Sequence, residues 1–120
     1  MLALNFYSPL FAEQLRSRRK TATIRLGDKS DKYETGQVVW VVVGHRFGAR
    51  EKIFTAVVDA VEVKEIGELS PRDIERDNPE FRRLEDTLGF LAQLHGRDLT
   101  STDTVTVVHF SPVLESGGLG

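Results

Sequence analysis

Leu2, Leu4 and Phe6 alternate with Ala3 and Asn5, and this period of two predicts a first strand with one buried face. Ser8-Pro9 follows as an N-cap with proline at the first helical position. Leu10, Phe11, Gln14 and Leu15 then recur at helical spacing, predicting a short helix that ends near Ser17. Thr21 to Leu26 is rich in threonine and β-branched residues and reads as a second strand. The polar stretch GDKSDKYETGQ is a loop that closes at Gly36. Val38 to Val43 is an unbroken apolar run, predicting a buried strand with Trp40 in the core. GHRFGARE makes an exposed, basic hairpin connection into a long strand, Ile53 to Val63, whose length predicts a bend or bulge.

Ser70-Pro71 and Asn78-Pro79 repeat the cap-then-proline signal. The first predicts a short helix with Asp73 bonding back in a capping box. The second predicts a longer helix with Phe81, Leu84, Leu88 and Leu91 on one apolar face, stopped by Gly96. TSTDT is a loop, Thr104 to Phe110 the last strand, and ESGGLG a tail. Helices that are few and grouped argue against parallel βαβ winding. They predict an α+β fold, a mixed or mainly antiparallel β-barrel with a few helices packed outside. Residues 1–113 are expected to form a single domain and 114–120 a disordered tail.

Composition narrows the classes. The 120 residues fit one domain, and 40% apolar with 28% charged residues fits a globular chain. The absence of cysteine removes disulfides and thiolate metal sites and fits a cytoplasmic location. The longest apolar run falls far short of the roughly 20 residues a membrane helix needs, and MLALNFYSPLFAEQL lacks a basic leader, so neither a membrane span nor a signal peptide is expected. With a net charge of −2, any nucleic-acid contact must come from a local basic patch. His45, His95 and His109 are scattered without metal-ligand spacing, and no G-x-S-x-G, G-x-G-x-x-G or P-loop occurs, so neither a metal nor a cofactor is expected.

The chemistry concentrates in RRKTATIR, residues 18–25. Alternation from Thr21 puts Thr21, Thr23 and Arg25 on one face and Ala22, Ile24 and Leu26 toward the core, with Lys20 in the turn before the strand and able to fold over Thr23. An amine, a hydroxyl and a guanidinium on one surface suit an anion, a polarised carbonyl, or a hydroxyl nucleophile served by a lysine base. A free lysine titrates near about 10.4 and is a poor base at neutral pH. Burial, or repulsion from Arg18, Arg19 and Arg25, would have to lower it.

The segment SRRKTATIRLGDKSDKYETGQVVWVVVG resembles the signature region of the ASCH domain family, with matches at Lys20, Thr21, Thr23, Arg25 and Gly36, and the likeness runs from the first strand to the last. Within that family the chain is similar to the small bacterial N4-acetylcytidine amidohydrolases. The resemblance implies a PUA-like β-barrel flanked by helices, with a lysine, a threonine and a glutamate over a nucleoside-binding cleft. Lys20 and Thr23 match the first two. The carboxylate falls in SPRDIERDNPEF, on Asp77 when aligned through Leu69 and the Asp77-Asn78 pair, with Glu75 the neighbouring alternative. The implied roles are a proton taken from Thr23 by Lys20, attack on the acetamide carbonyl by the threonine oxygen or by a water it positions, and Asp77 orienting the amine or stabilising the leaving group. Arg25 would contact a phosphate or an oxygen of the substrate. Read locally, Asp77 is equally a helix cap before Asn78-Pro79. The competing class is a non-catalytic RNA-binding module, in which Arg16, Arg18, Arg19, Lys20 and Arg25, with Arg46 and Arg50, hold phosphates while Tyr33 or Trp40 stacks a base.

Overall fold

The computed structural model describes residues 1–44 and 48–114. His45 and Arg46 of the hairpin connection, and residues 115–120 of the tail, lie outside the described residues. The elements run β1 (Ala3–Phe6), α1 (Pro9–Arg16), β2 (Ala22–Leu26), β3 (Val38–Gly44), β4 (Arg50–Glu65), a 3-10 turn (Ile66–Glu68), α2 (Pro71–Asp77), α3 (Leu84–His95) and β5 (Thr104–Pro112). They form one mixed five-stranded sheet in the order β1-β3-β4-β5-β2. β1 runs parallel to β3, and the remaining neighbours are antiparallel. The sheet curls into a half-barrel, an α+β arrangement. Its edges, β1 and β2, are not hydrogen-bonded neighbours in the strand order, so a seam is left where a barrel would close.

β4 makes the curl possible. It pairs with β3 along its first half and with β5 along its second, and the register shifts between Val58 and Ala60 on the β5 side and between Val41 and Val42 on the β3 side. These irregularities are the bend that its length predicted. The shift in β3 also explains why Val41, Val42 and Val43 are all buried, where simple alternation would expose one of them.

Two cores use opposite faces of the sheet. Val108 and Phe110 of β5 join Leu4, Phe6, Phe11, Val39, Val41 and Phe54 inside the curl. Val105 and Val107 join Ala22, Ile24, Ile74 and Leu91 beneath α2 and α3. β5 therefore carries core residues on both faces, while the edge strand β2 gives Ala22 and Ile24 to the second core.

Three expectations are corrected. Trp40 is exposed, and so is Val38, because Val39 and Val41 take the inward positions of β3; the Lys52 ammonium lies 5.4 Å from the Trp40 ring. Tyr33, offered as a stacking residue, is buried in the inner core. Asn78-Pro79 does not open the long helix. The Asn78 amide still donates to the Ile74 carbonyl at 2.9 Å and closes α2, while its side-chain oxygen accepts from Gln14 Nε2 and from the Glu80 amide, each at 3.0 Å. α3 begins only at Leu84, with Asp86 accepting the Arg82 and Arg83 amides. Phe81 thus precedes the helix; it, Leu84 and Leu88 are half-buried against the second core, and of the four predicted contacts Leu91 is the fully buried one. The Ser8 cap, the Ser70–Asp73 capping box and the left-handed Gly96 stop occur where the sequence put them.

Candidate functional site

The site begins at the end of α1. Arg18 has a positive φ of 65°, and the turn it makes lets the Arg19 and Lys20 amides both donate to the Gln14 carbonyl, at 3.0 and 3.1 Å. This closure sends the Lys20 side chain inward. The Gln14 side chain, also buried, bonds Asn78 and so ties α1 to the C-terminal end of α2. That tie brings Asp77 to Lys20 across 57 residues of sequence.

Lys20 is 2% exposed. Its Nζ donates to the Ala22 carbonyl at 2.9 Å, to the Asp77 carbonyl at 2.5 Å and to Asp77 Oδ1 at 3.1 Å, which occupies the three protons of an ammonium. The same nitrogen lies 4.7 Å from the Phe11 ring and 5.2 Å from Phe6. Asp77 Oδ1 also accepts the Ile24 amide of β2 at 2.9 Å, so the carboxylate pins the edge strand as well as the lysine. Burial pushes the Lys20 amine below its usual range; Asp77 opposes the shift by charge and hydrogen bond, and Arg25 adds to it. Burial likewise lowers the Arg25 guanidinium, against Tyr33, Asp77 and Tyr7.

Thr23 and Arg25 point into the curl, opposite Ala22 and Ile24. Arg25 Nε donates to Thr23 Oγ1 at 3.0 Å, and Nη2 crosses the seam to the Asn5 carbonyl of β1 at 2.8 Å. The guanidinium carbon lies 4.9 Å from the Phe6 ring centre. Beside these groups the seam opens into a cavity of about 120 Å³. Lys20, Thr23, Arg25 and Asp77 line its polar side; Phe6, Tyr7, Phe11, Phe90, Leu91 and Leu94 wall the rest. The rings run edge to face, Phe6 to Phe11 at 5.9 Å and Phe11 to Phe90 at 5.8 Å.

The remaining candidates lie elsewhere. Glu75 is exposed and lines a separate open groove with Arg19, Arg72 and Arg76. Thr21 is half-buried and bonds through its backbone to Arg76 and Phe110. Arg16 pairs with Glu51 at 2.6 Å, Arg19 pairs with Glu13, and Arg18 stacks 4.3 Å from Phe54 while donating to the Leu15 carbonyl. Arg50 stands at the exposed start of β4. The basic run thus divides between paired surface arginines and an inward pair, Lys20 and Arg25.

Two features escaped the sequence reading. The aromatic walls come from three distant segments, and only Phe6 and Phe11 carried a hint, as apolar positions flanking the Ser8-Pro9 cap. His109, read as scattered, sits 2.8 Å from Glu62 and 3.9 Å from Asp73, and the three offer ligand atoms within 4.8 Å of one another. Lys64 already bridges the two carboxylates there, 3.0 Å from Asp73 and 3.5 Å from Glu62.

No family model matches the sequence, and neither does any curated protein. The architecture does find relatives. An ASCH domain from Lactobacillus crispatus aligns with a TM-score of 0.63 over 86% of this chain and 70% of its own, at 15% identity. The chain has the fold of an ASCH domain. A DUF984 protein from Enterococcus faecalis shares it at a TM-score of 0.66 and 15% identity, over 94% of this chain and 82% of its own. A protein from Pyrococcus furiosus does so at 0.55 and 15% identity, over 93% and 100%. On the ASCH fold of this chain, the cavity lies at the seam between the edge strands, with α1, α2 and α3 closing over it.

Proposed function

We propose that this chain hydrolyses an acylated amine on a pyrimidine nucleoside, N4-acetylcytidine being the reference substrate, with Lys20, Thr23 and Asp77 as its working groups. The observation that carries the reading is that Lys20, Thr23 and Asp77, from the turn after α1, from β2 and from α2, all line one largely apolar cavity, with Lys20 and Asp77 in contact. A volume of about 120 Å³ is on the scale of an engineered cavity of about 150 Å³ that takes benzene, and too small to enclose a whole nucleoside. Lys20 begins as an ammonium bound by Asp77. The fraction that has lost its proton takes the Thr23 hydroxyl proton, and Oγ1 bonds to the acyl carbon. The carbon–nitrogen bond breaks, and the proton passes to the leaving amine. Water then cleaves the acyl-threonine, releasing acetate and restoring the hydroxyl.

The RNA-module reading draws less support. Arg16 and Arg19 have carboxylate partners and Lys20 is enclosed, so the run that would contact phosphates is largely neutralised in place. The test is cytidine release from N4-acetylcytidine by the pure protein. Lys20→Ala and Thr23→Val should abolish release. No release by the parent across neutral and alkaline pH would end the assignment for this substrate.

A further inference from the structure

We propose that Arg25 Nε is the donor that positions the Thr23 oxygen and takes up its negative charge, first when it attacks the acyl carbon and again when it leaves. The inference rests on the hydrolytic reading above and adds the residue that makes a threonine hydroxyl usable in it.

A threonine hydroxyl is a weak nucleophile, and its alkoxide is a poor leaving group, so both steps need a partner for charge on the oxygen. Thr23 lines the cavity and is 4% exposed, which leaves bulk water little part in that role. Its Oγ1 accepts from Arg25 Nε at 3.0 Å and donates to no acceptor among the described residues. The oxygen therefore meets a cationic donor while its own proton stays available for transfer. A hydrogen bond from an ionised donor is roughly twice as strong as a neutral one.

The donor is itself held. Arg25 Nη2 donates to the Asn5 carbonyl at 2.8 Å across the seam, and the guanidinium carbon lies 4.9 Å from the Phe6 ring centre. Thr23 and Arg25 stand two residues apart on β2, so the strand brings them to one face. Nε thus keeps its direction while the charge on the oxygen changes. Arg25 also bears on the base: after burial, its charge is what lowers the Lys20 amine, against Asp77.

The steps balance around this bond. In acylation the Thr23 proton goes to the Lys20 amine and Oγ1 bonds to the acyl carbon, with Nε on a second lone pair. The carbon–nitrogen bond breaks and Lys20 passes the proton to the leaving amine. In deacylation water adds to the acyl carbon and gives a proton to Lys20. The carbon–Oγ1 bond breaks, its electron pair returns to Oγ1 beside Nε, and Lys20 returns the proton to Oγ1.

Arg25→Lys separates the donor from the charge, because lysine carries a methylene where arginine has Nε. The probe is 4-nitrophenyl acetate, whose good leaving group isolates the part played by the nucleophile, with Thr23 acetylation followed by peptide mass mapping. The parent should acetylate and then deacetylate Thr23. Arg25→Lys should slow both rates by about 10²–10³-fold, as loss of one oxyanion donor does. With N4-acetylcytidine it should lower kcat by a similar factor with little change in KM, whereas loss of a seam latch alone would lower the melting temperature and spare kcat in the folded protein. Equal acetylation rates in parent and Arg25→Lys overturn the proposal, and so does a parent that leaves Thr23 unmodified. Acetylation of Thr23 that depends on Arg25, without cytidine release from N4-acetylcytidine, would sink the hydrolytic reading for that substrate and leave this proposal standing. If Arg25→Lys does not fold, Thr23→Val decides: the Arg25 Nε–H signal in proton–nitrogen NMR should shift and exchange faster with solvent, and an unmoved signal overturns the proposal.

Discussion

Asp77→Asn isolates the electrostatic heart of the site. Asparagine keeps the shape and an oxygen able to accept from Lys20 and from the Ile24 amide, but it removes the charge. The Lys20 side chain is 1% exposed and that of Asp77 10%, so solvent cannot take over the role of the carboxylate. The two backbone carbonyls and the Phe6 and Phe11 rings still face the ammonium. Each cation–π contact contributes up to about 2 kcal/mol when desolvated. These offset part of the cost, yet breaking a buried pair by removing one partner typically destabilises by about 3–5 kcal/mol. Against a total stability of about 5–15 kcal/mol that is a large fraction. At about 4 °C per kcal/mol for a chain of this size, the melting temperature should drop by about 12–20 °C. The sign with pH follows from the lowered Lys20 amine. Between its folded pKa and the ordinary 10.5, the unfolded chain holds the extra proton, so stability rises with pH through that window. Asp77 stabilises the charged form, so the gap between parent and Asp77→Asn should be widest at neutral pH and narrow as Lys20 loses its proton. Urea titrations at neutral and alkaline pH measure both quantities. Adding Lys20→Met to Asp77→Asn should recover part of the loss, since no uncompensated charge remains. A cost below about 1 kcal/mol at neutral pH, the size of a surface pair, would refute the reasoning, as would a gap that widens with pH.

Leu91→Ala should cost about 2–5 kcal/mol by thermal unfolding, and Leu88→Ala clearly less, because Leu91 is 3% exposed while Leu88 is half-buried. If the hydrolytic reading holds, the rate of cytidine release should rise with pH as Lys20 deprotonates, with a midpoint below 10.5; a flat profile would remove Lys20 as the base. Oligonucleotide binding should be weak, with a log-affinity slope against log salt well short of several times −0.7 (about −0.7 per phosphate contact on single strands). A steep slope in fluorescence titrations would restore the RNA-module reading.

Much of the fold was legible because its signals are local. A period of two marked β1 and β2, and a serine before a proline marked α1 and α2. The length of β4 announced its bend. Alternation along β2 also put Thr23 and Arg25 on one face, opposite Ala22 and Ile24, but it turned only Ala22, Ile24 and Leu26 toward the core, whereas Thr23 is buried as well. The same signals failed where a residue's partner is distant. Asn78-Pro79 has the local form of a helix start, but Asn78 is held by Gln14 from α1, and that bond decides its role. Trp40 lies in an apolar run, yet register against β4 turned it outward. Asp77 and Glu75 are two residues apart on α2, and only the packing of that helix on β2 turns one toward Lys20 and the other to solvent. The aromatic walls and the seam itself depend on the strand order, which puts β1 and β2 at opposite ends of the sheet. Sequence determines which face of an element is apolar because neighbouring side chains alternate over a few ångströms. It does not determine what covers that face, because the burial of β2 and of Lys20 depends in part on Asp77 of α2, more than 50 residues away.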